Sequence, residues 1–307
     1  MNNMSYLGEL VALGTVLCWT FSVQFFAAAS REIGAIPVNI IRLAVALALF
    51  AGLLWWRDGS PVPLHFPPHA WFYLSLSGVV GFFIGDIFLF KALVELGPRV
   101  AMLIQSLAAP TAAVLGWMFL QESYALHQWF GMAIALLGVA TVILERGKVG
   151  VPLSKTKVQK ISMKGVVYGC FGMCGQAVGT LLSKTGMQTG GGYLDAFSAT
   201  EIRAIAAFLC FVGFFTVTHK WQNVHSALAN TKAVVYTSLG AVCGPFLGVS
   251  LSLLALHYLT SGVASTFFAL VPICIIPFSI YLHKEHVSFR AVIGAITAVG
   301  GVCLLSM

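Results

Sequence analysis

The chain has 307 residues, of which 59% are hydrophobic and only 9% are charged, and its mean hydropathy is +0.91. Soluble domains carry about 25% charged residues, so this composition excludes a soluble globular protein. The formal charge of +7 does not indicate a nucleic-acid partner, because six of the seventeen basic residues crowd one short stretch, as expected of headgroup contact or a topology signal. These six are Arg146, Lys148, Lys155, Lys157, Lys160 and Lys164.

Long apolar runs separated by Pro, Gly and charged residues predict an all-α integral membrane protein with about ten transmembrane helices. A bilayer core about 30 Å thick needs about 20 apolar residues per crossing, so no length remains for a separate soluble domain. Short connections at 30–35, 94–98 and 257–260 predict helical hairpins. In chain order, the predicted spans are 8–29, 36–56, 70–93, 99–120, 127–144, 165–186, 194–218, 233–256, 261–282 and 288–306.

No basic residue precedes Arg31, so the first apolar run is predicted to be a true span and not a cleaved signal peptide. All seven cysteines lie within apolar runs, where Cys packs as a small hydrophobic side chain. Cys170 and Cys174 share a helix face but lack a His or acidic companion, which favours packing over metal binding. Because phosphate-binding, zinc-protease and nucleophile-elbow motifs are also missing from the sequence, we expect no metal, no cofactor and no enzymatic activity.

An internal repeat at an offset of 163 residues divides the chain into two halves. The first two helices of each half also match after small length changes, with Gly14 facing Gly169 and Arg42 facing Arg203. The predicted organisation is a first repeat at 1–146, a basic connecting loop at 147–163 and a second repeat at 164–307. The matched pairs include Gly81 with Gly244, Gly85 with Gly248, Ala92 with Ala255, Glu122 with Glu285, Gly131 with Gly294 and Gly138 with Gly301.

Five helices in each repeat is an odd number, so the second repeat must enter the membrane from the opposite side. Inverted repeats of this kind place a substrate site near the bilayer midplane, between the halves. Rocking of one half against the other then exposes that site to alternate sides. This organisation favours a secondary transporter.

The ordered residues of the repeat resemble a known family. The first copy, which includes Gly85-Asp86, Phe90-Lys91-Ala92-Leu93, Pro110 and Glu122, resembles the EamA-like repeat of the drug/metabolite transporter superfamily, and the second copy, with Gly248, Ala255-Leu256, Pro272 and Glu285, is similar. The resemblance covers nearly the whole chain. It implies ten helices in an inverted five-plus-five arrangement and the export or exchange of amino acids or other small metabolites.

The chain departs from the small multidrug-resistance relatives in its first helix. Those relatives carry a glutamate in the middle of that helix, where this sequence has Cys18, Trp19, Thr20 and Gln24. Extrusion of cationic drugs by a carboxylate at that position is therefore not expected.

Asp86 is the leading candidate for a substrate-binding residue. An ionised carboxylate inside an apolar span is costly unless it is paired or hydrated, so Asp86 is expected either to bind a substrate ammonium group or to carry a proton. Pairing with a neighbouring helix is the structural alternative. Arg42 and Arg203 could clamp a substrate carboxylate or phosphate, or could snorkel or pair, in the case of Arg203 with Glu201.

Uncharged polar and aromatic side chains complete the predicted site. Thr20 and Gln24 share a helix face next to Trp19, and each polar side chain could alternatively serve only as a hydrogen bond between helices. Phe90 could stack on an apolar substrate or pack in the core. The candidate set is Trp19, Thr20, Gln24, Arg42, Asp86, Phe90, Gln105, Gln176, Arg203 and Ser265.

Several alternatives stay open at this stage. A membrane-embedded enzyme acting on lipid-linked substrates, a nucleotide-sugar-like exchanger and a non-transporting scaffold or sensor are the competing functions. The expected partners are the lipid bilayer and a small-molecule substrate, with proton coupling an option and the oligomeric state either monomer or homodimer. The expected location is the cell (inner) membrane, with several passes and both termini on the same side.

Overall fold

The computed structural model describes residues 3–144, 162–271, 273–275 and 289–305, and the statements below concern these residues. Most of the predicted basic loop, together with Pro272 and Glu285, lies outside them. A π-helical segment, Gly78–Gly85, interrupts the third predicted span of the first half. The helices of this half are α1 (Asn3–Ile33), α2 (Ala35–Asp58), α3 (Pro68–Ser77), α4 (Asp86–Ser106), α5 (Ala108–Phe119) and α6 (Leu126–Leu144).

The second half repeats this order with two additions. They are an antiparallel pair of two-residue strands, β1 (Gln188–Thr189) and β2 (Gly192–Tyr193), and the short helix α9 (Trp221–Leu228). A second π-helical segment, Val242–Gly248, interrupts the third predicted span of this half. The other helices are α7 (Met163–Met187), α8 (Ala196–Val217), α10 (Thr231–Ala241), α11 (Val249–Tyr258), α12 (Ser261–Phe268) and α13 (Phe289–Leu305).

The helices have the length and composition of a membrane protein. Six helical runs in the described residues are long and apolar enough to cross a bilayer. Four shorter apolar helices occupy the places of the other predicted spans, so the count of ten crossings stays a prediction. The six long runs are Tyr6–Ile33, Ala35–Asp58, Pro68–Leu93, Met163–Met187, Ala196–Val217 and Thr231–Tyr258, and the shorter ones are Ile104–Phe119, Leu126–Thr141, Ser261–Ile275 and Val292–Leu304.

Two of the three predicted hairpins have short links between separate helices, and the third differs. Gly34 alone joins α1 to α2, with a φ of +83° that favours glycine, and α11 passes into α12 through residues 259–260. At 94–98, however, the backbone stays helical until α4 ends at Ser106. The chain still reverses direction there, because Leu96 lies against Gly165 whereas Ile104 lies against Gly169.

The first span of each half packs against the third span of the other half. Each third span consists of two α-helices joined by a π-helical segment. Along α1, Gly8 meets Tyr258, and the Ser22 hydroxyl further along donates to the Gly240 carbonyl oxygen at 3.1 Å. Along α7, Gly172 meets Leu89 and Gly179 meets Gly81. Residue numbers rise on one helix as they fall on the other, so both packings are antiparallel.

The last helices of the two halves, α6 and α13, meet at reciprocal glycines. A Cβ at Gly138 would lie 2.3 Å from the Ala298 nitrogen, and a Cβ at Gly301 would lie 2.3 Å from the Ala135 nitrogen. The offset of 163 residues relates both the two glycines and the two alanines. The contact therefore has a pseudo-two-fold axis, and the two equivalent helices cross in opposite directions with their backbones in close approach.

The two π-helical segments stand at equivalent positions of the repeat. Each ends at the glycine of a matched pair, Gly85 in the first half and Gly248 in the second. A π turn widens the helix and frequently marks a functional site. The residues that follow, Asp86 and Val249, begin the next α-helix beside the space between the halves.

Candidate functional site

A cavity of about 570 Å³ lies between the two halves. This volume is within the range of small-molecule sites. Helices of both halves contribute to its wall, which is mainly apolar and includes the edge-to-face pair of Trp19 and Phe268, with ring centroids 5.1 Å apart. The predicted candidates that line it are Trp19, Arg42, Asp86, Phe90, Gln105, Gln176, Arg203 and Ser265.

Asp86 is paired with Arg42 inside this cavity. The Arg42 guanidinium from α2 donates to one carboxylate oxygen of Asp86 at the start of α4, and both residues are buried, with exposures of 6% and 3%. The Gln176 amide from α7 donates to the other oxygen at 3.4 Å. The carboxylate thus already has a cationic partner, which satisfies the pairing alternative raised by the sequence.

Two phenylalanine rings fix the position of the Arg42 guanidinium. Its central carbon lies 5.4 Å from the ring centroid of Phe26 and 5.4 Å from that of Phe90, a geometry in which a cation is attracted to the ring faces. Phe90 therefore serves both as cavity wall and as support for the ion pair.

Arg203 has a different environment. Its guanidinium carbon lies 4.4 Å from the ring centroid of Phe82, and its Nε atom is buried without a hydrogen-bond partner. Within the described part of the chain, Arg203 forms no ion pair with Glu201, contrary to the suggested pairing. The reason is helical geometry, because residues two apart on one helix do not face each other.

Thr20 and Gln24, two of the ten candidates, do not line the cavity. Both share a face of α1, as predicted, but the cavity is lined by the neighbouring face that carries Trp19 and Val23. The Thr20 hydroxyl is buried and donates to the Val16 carbonyl oxygen at 2.7 Å. A helical pattern shows which residues share a face, but not which face meets the partner helices.

The sequence reasoning also missed some lining residues. Thr180 lies one turn after Gln176 on α7, so the four-residue spacing could have identified it. Ser22, three residues after Trp19 on α1, could have been identified in the same way, whereas Ser252 carried no such signal. The side-chain amide oxygen of Gln105, Oε1, is buried in the cavity wall without a hydrogen-bond partner. It is therefore available to accept a hydrogen bond from a bound solute.

A second polar cluster, formed by Glu122, Tyr124, Lys184 and Ser261, joins the two halves near the start of α1. Lys184 Nζ lies 2.6 Å from Glu122 Oε1 and also donates to the Leu259 carbonyl oxygen at 2.9 Å. The Ser261 N–H donates to Glu122 Oε2 at 3.0 Å, and the Tyr124 hydroxyl donates to the same oxygen at 2.5 Å. We call this group the Glu122 cluster.

The Glu122 cluster predicts an acid-sensitive contribution to stability. Burial raises the pKa of the Glu122 carboxyl, but Lys184, Tyr124 and the Ser261 N–H outweigh burial, so its pKa falls below its ordinary value of 4.5. Ionised Glu122 therefore stabilises the fold above about pH 4.5, and this stabilisation is lost as the pH falls through the lowered pKa.

We expect the thermal midpoint of the detergent-solubilised protein to fall more steeply below pH 4.5 than that of Glu122→Gln. Differential scanning fluorimetry across pH 3 to 7 measures both. Parallel curves for the two proteins would contradict the assignment.

Comparison with known proteins agrees with this geometry. No curated protein sequence matches the chain. A solved structure titled only "Crystal structure of protein" superimposes with a TM-score of 0.69, covering 97% of this chain and 96% of its own, at 14% identity, which supports the fold alone. The EamA-like transporter family matches twice, over residues 6–144 and 163–307. Because these two matches span almost the whole chain and coincide with its two structural halves, the protein belongs to the EamA-like transporter family and is a multi-pass membrane transporter of the drug/metabolite transporter superfamily.

Proposed function

We propose that the protein is a secondary transporter that exports amino acids or related small metabolites across the cell (inner) membrane. The observation that carries the proposal is the cavity between the halves, in which buried charged groups, an amide and aromatic rings converge. Such a mixture binds the polar groups of a small solute within an otherwise apolar wall. Since the sequence lacks a nucleotide-binding motif, an ion or solute gradient is the expected driving force.

The packing of equivalent helices supports an inverted five-plus-five arrangement. Adjacent spans alternate in direction, so the first and third helices of one half run in the same direction. Because α1 runs antiparallel to α10 and α11, the third-span helices of the other half, the two halves have opposite orientations. Inverted repeats of this kind are typical of transporters that work by alternating access.

The two halves are joined by buried polar contacts at one end of the cavity and, at the other end, by the exposed ion pair of Glu32 with Lys232. Gly8 near the start of α1 packs against Tyr258, and the Glu122 cluster holds the adjoining Leu259. Arg31, at the opposite end of α1, is exposed and lines the cavity. We therefore propose that this conformation opens at the Arg31 end, and that breaking the Glu122 cluster opens the other end during transport.

Reconstitution into proteoliposomes tests the proposal. The purified protein is expected to accelerate saturable efflux of radiolabelled amino acids above protein-free liposomes. Asp86→Asn is expected to change the rate or its pH dependence, whereas Asp58→Asn, at the end of α2 outside the cavity, serves as the matched control. Failure to move any amino acid, combined with exchange of nucleotide sugars or turnover of a lipid-linked substrate, would replace this function with one of its alternatives.

A further inference from the structure

Among the buried charged side chains by which the described residues line the cavity, positive charges outnumber negative ones. The buried charged residues of its wall are Arg42, Asp86 and Arg203, and the described residues contribute no other acidic side chain to the lining. Asp86 is engaged by Arg42 and by Gln176. With these three groups ionised, the buried part of the cavity wall carries a net charge of +1, and Arg31 adds a further positive charge at the exposed end.

The imbalance arises from a difference between the two repeats. The offset of 163 residues that relates Gly81 to Gly244 and Gly85 to Gly248 places Val249 where Asp86 stands. Val249 also lines the cavity at the end of its π-helical segment. The first repeat therefore supplies an arginine with its acid, whereas the second supplies an arginine and has a valine at the position that matches the acid.

Arg203 is also held in a position suited to a ligand. The residue is only 3% exposed, its guanidinium rests on the Phe82 ring, and its Nε lacks a hydrogen-bond partner. Within the described residues no acidic side chain contacts this guanidinium directly, and burying such a charge is costly even with Asp86 within electrostatic reach. An anion that enters the cavity would remove this cost, and a carboxylate matches the two-pronged geometry of the guanidinium.

We infer that the transported solute carries a carboxylate that pairs with Arg203, and that the solute does not require an ammonium group. The inference rests on the proposed transport function. A single carboxylate neutralises the net charge of +1, whereas a phosphate dianion would reverse it. An ammonium group gains less from Asp86, because Arg42 already balances the charge of this carboxylate.

Three probes that differ in one charged group at a time test the inference on the unmodified protein. L-leucine carries both groups, 4-methylpentanoate carries only the carboxylate, and L-leucinamide carries only the ammonium group. We expect the first two to raise the thermal midpoint of the purified protein and to move in proteoliposomes, and L-leucinamide to do neither. Methyl phosphate serves as the phosphate comparison and is expected to bind more weakly than 4-methylpentanoate.

Variants at two positions localise the effect. Arg203→Gln is expected to weaken binding of 4-methylpentanoate by about ten- to a hundred-fold, the loss typical of a charge-assisted hydrogen bond. Val249→Asp places an acid at the position equivalent to Asp86 and is expected to compete with the carboxylate to a similar extent. Asparagine has nearly the same size as aspartate but no charge, so Val249→Asn is the matched control. Val249→Asp should weaken binding of 4-methylpentanoate at least about ten-fold more than Val249→Asn. Arg290→Gln, on the exposed start of α13, is the control for removal of an arginine.

The outcomes separate the inference from the function on which it rests. Transport of L-leucinamide as fast as 4-methylpentanoate would overturn the inference and leave the transport function intact. Equal weakening by Val249→Asp and Val249→Asn would also overturn it, as would an absence of any binding of the two carboxylate probes at millimolar concentration. Loss of the proposed function would instead appear as an absence of flux for every solute tested.

Discussion

Replacing Asp86 by asparagine is expected to lower the free energy of unfolding by about 3–5 kcal/mol, the usual cost of removing one partner of a buried ion pair. The change leaves the Arg42 guanidinium buried between Phe26 and Phe90 without its ion-pair partner. The asparagine side chain still accepts a hydrogen bond, so the loss is mainly electrostatic. We expect transport to fall together with stability.

A double-mutant cycle measures the interaction energy between Arg42 and Asp86 separately from their contacts with other residues. Arg42→Met alone leaves Asp86 uncompensated and is expected to be similarly destabilising, although Arg203 remains within electrostatic reach of the carboxylate. The double variant, Arg42→Met with Asp86→Asn, is expected to be more stable than the sum of the single losses predicts, because it removes both charges. Reversible unfolding in mixed detergent micelles provides the measurement. Additive effects would show that the two side chains are not coupled.

Replacing Gly301 by alanine is the second change with a large expected effect. The new methyl group would lie 2.3 Å from the Ala135 nitrogen and 2.8 Å from the Gly131 carbonyl oxygen, so the backbones of α6 and α13 must move apart. Overpacking of this kind costs about 1–3 kcal/mol and occasionally more. Gly138→Ala, its counterpart across the pseudo-two-fold axis, is expected to cause a similar loss.

Gly300 provides a matched control one residue away. Nothing lies within 4 Å of a Cβ at Gly300, and alanine favours a helix over glycine by about 1 kcal/mol. Gly300→Ala is therefore expected to leave stability unchanged or to raise it slightly. The same micellar unfolding assay compares the three variants, and a Gly301→Ala protein as stable as Gly300→Ala would contradict the close approach of α6 and α13.

The membrane architecture could be predicted from sequence because its cause is local. Hydropathy over about 20 residues identifies a span without knowledge of its neighbours, and the repeat is visible as identities at one offset. The two π-helical segments could not be predicted in this way, since their glycines, and Pro245 in the second, indicate close packing or a kink but do not specify a π turn. Likewise, α9 and the strand pair β1–β2 fall outside a search for long apolar runs.

The site could be predicted only in part. Asp86, Arg42 and Arg203 were identified because a charge within an apolar span needs an explanation. The pairing of Asp86 with Arg42, and not with Arg203, depends on how α2, α4 and α8 are placed around the cavity, which no pattern within one helix encodes. The same limitation explains why Thr20 and Gln24 were expected to line the pathway although the neighbouring face of α1 does so.

The presence of Asp86 in one repeat and Val249 at the matching position of the other has a consequence for how such a protein could have arisen. A pair of identical subunits, each equal to the first repeat, would hold two arginine–aspartate pairs and an electrically neutral chamber. A pair of subunits equal to the second repeat would contain two arginines without paired acids, and these two charges would repel each other. A buried chamber with a single surplus charge therefore requires two unlike copies, so the divergence of the two repeats at this position is what leaves the buried wall with a net positive charge.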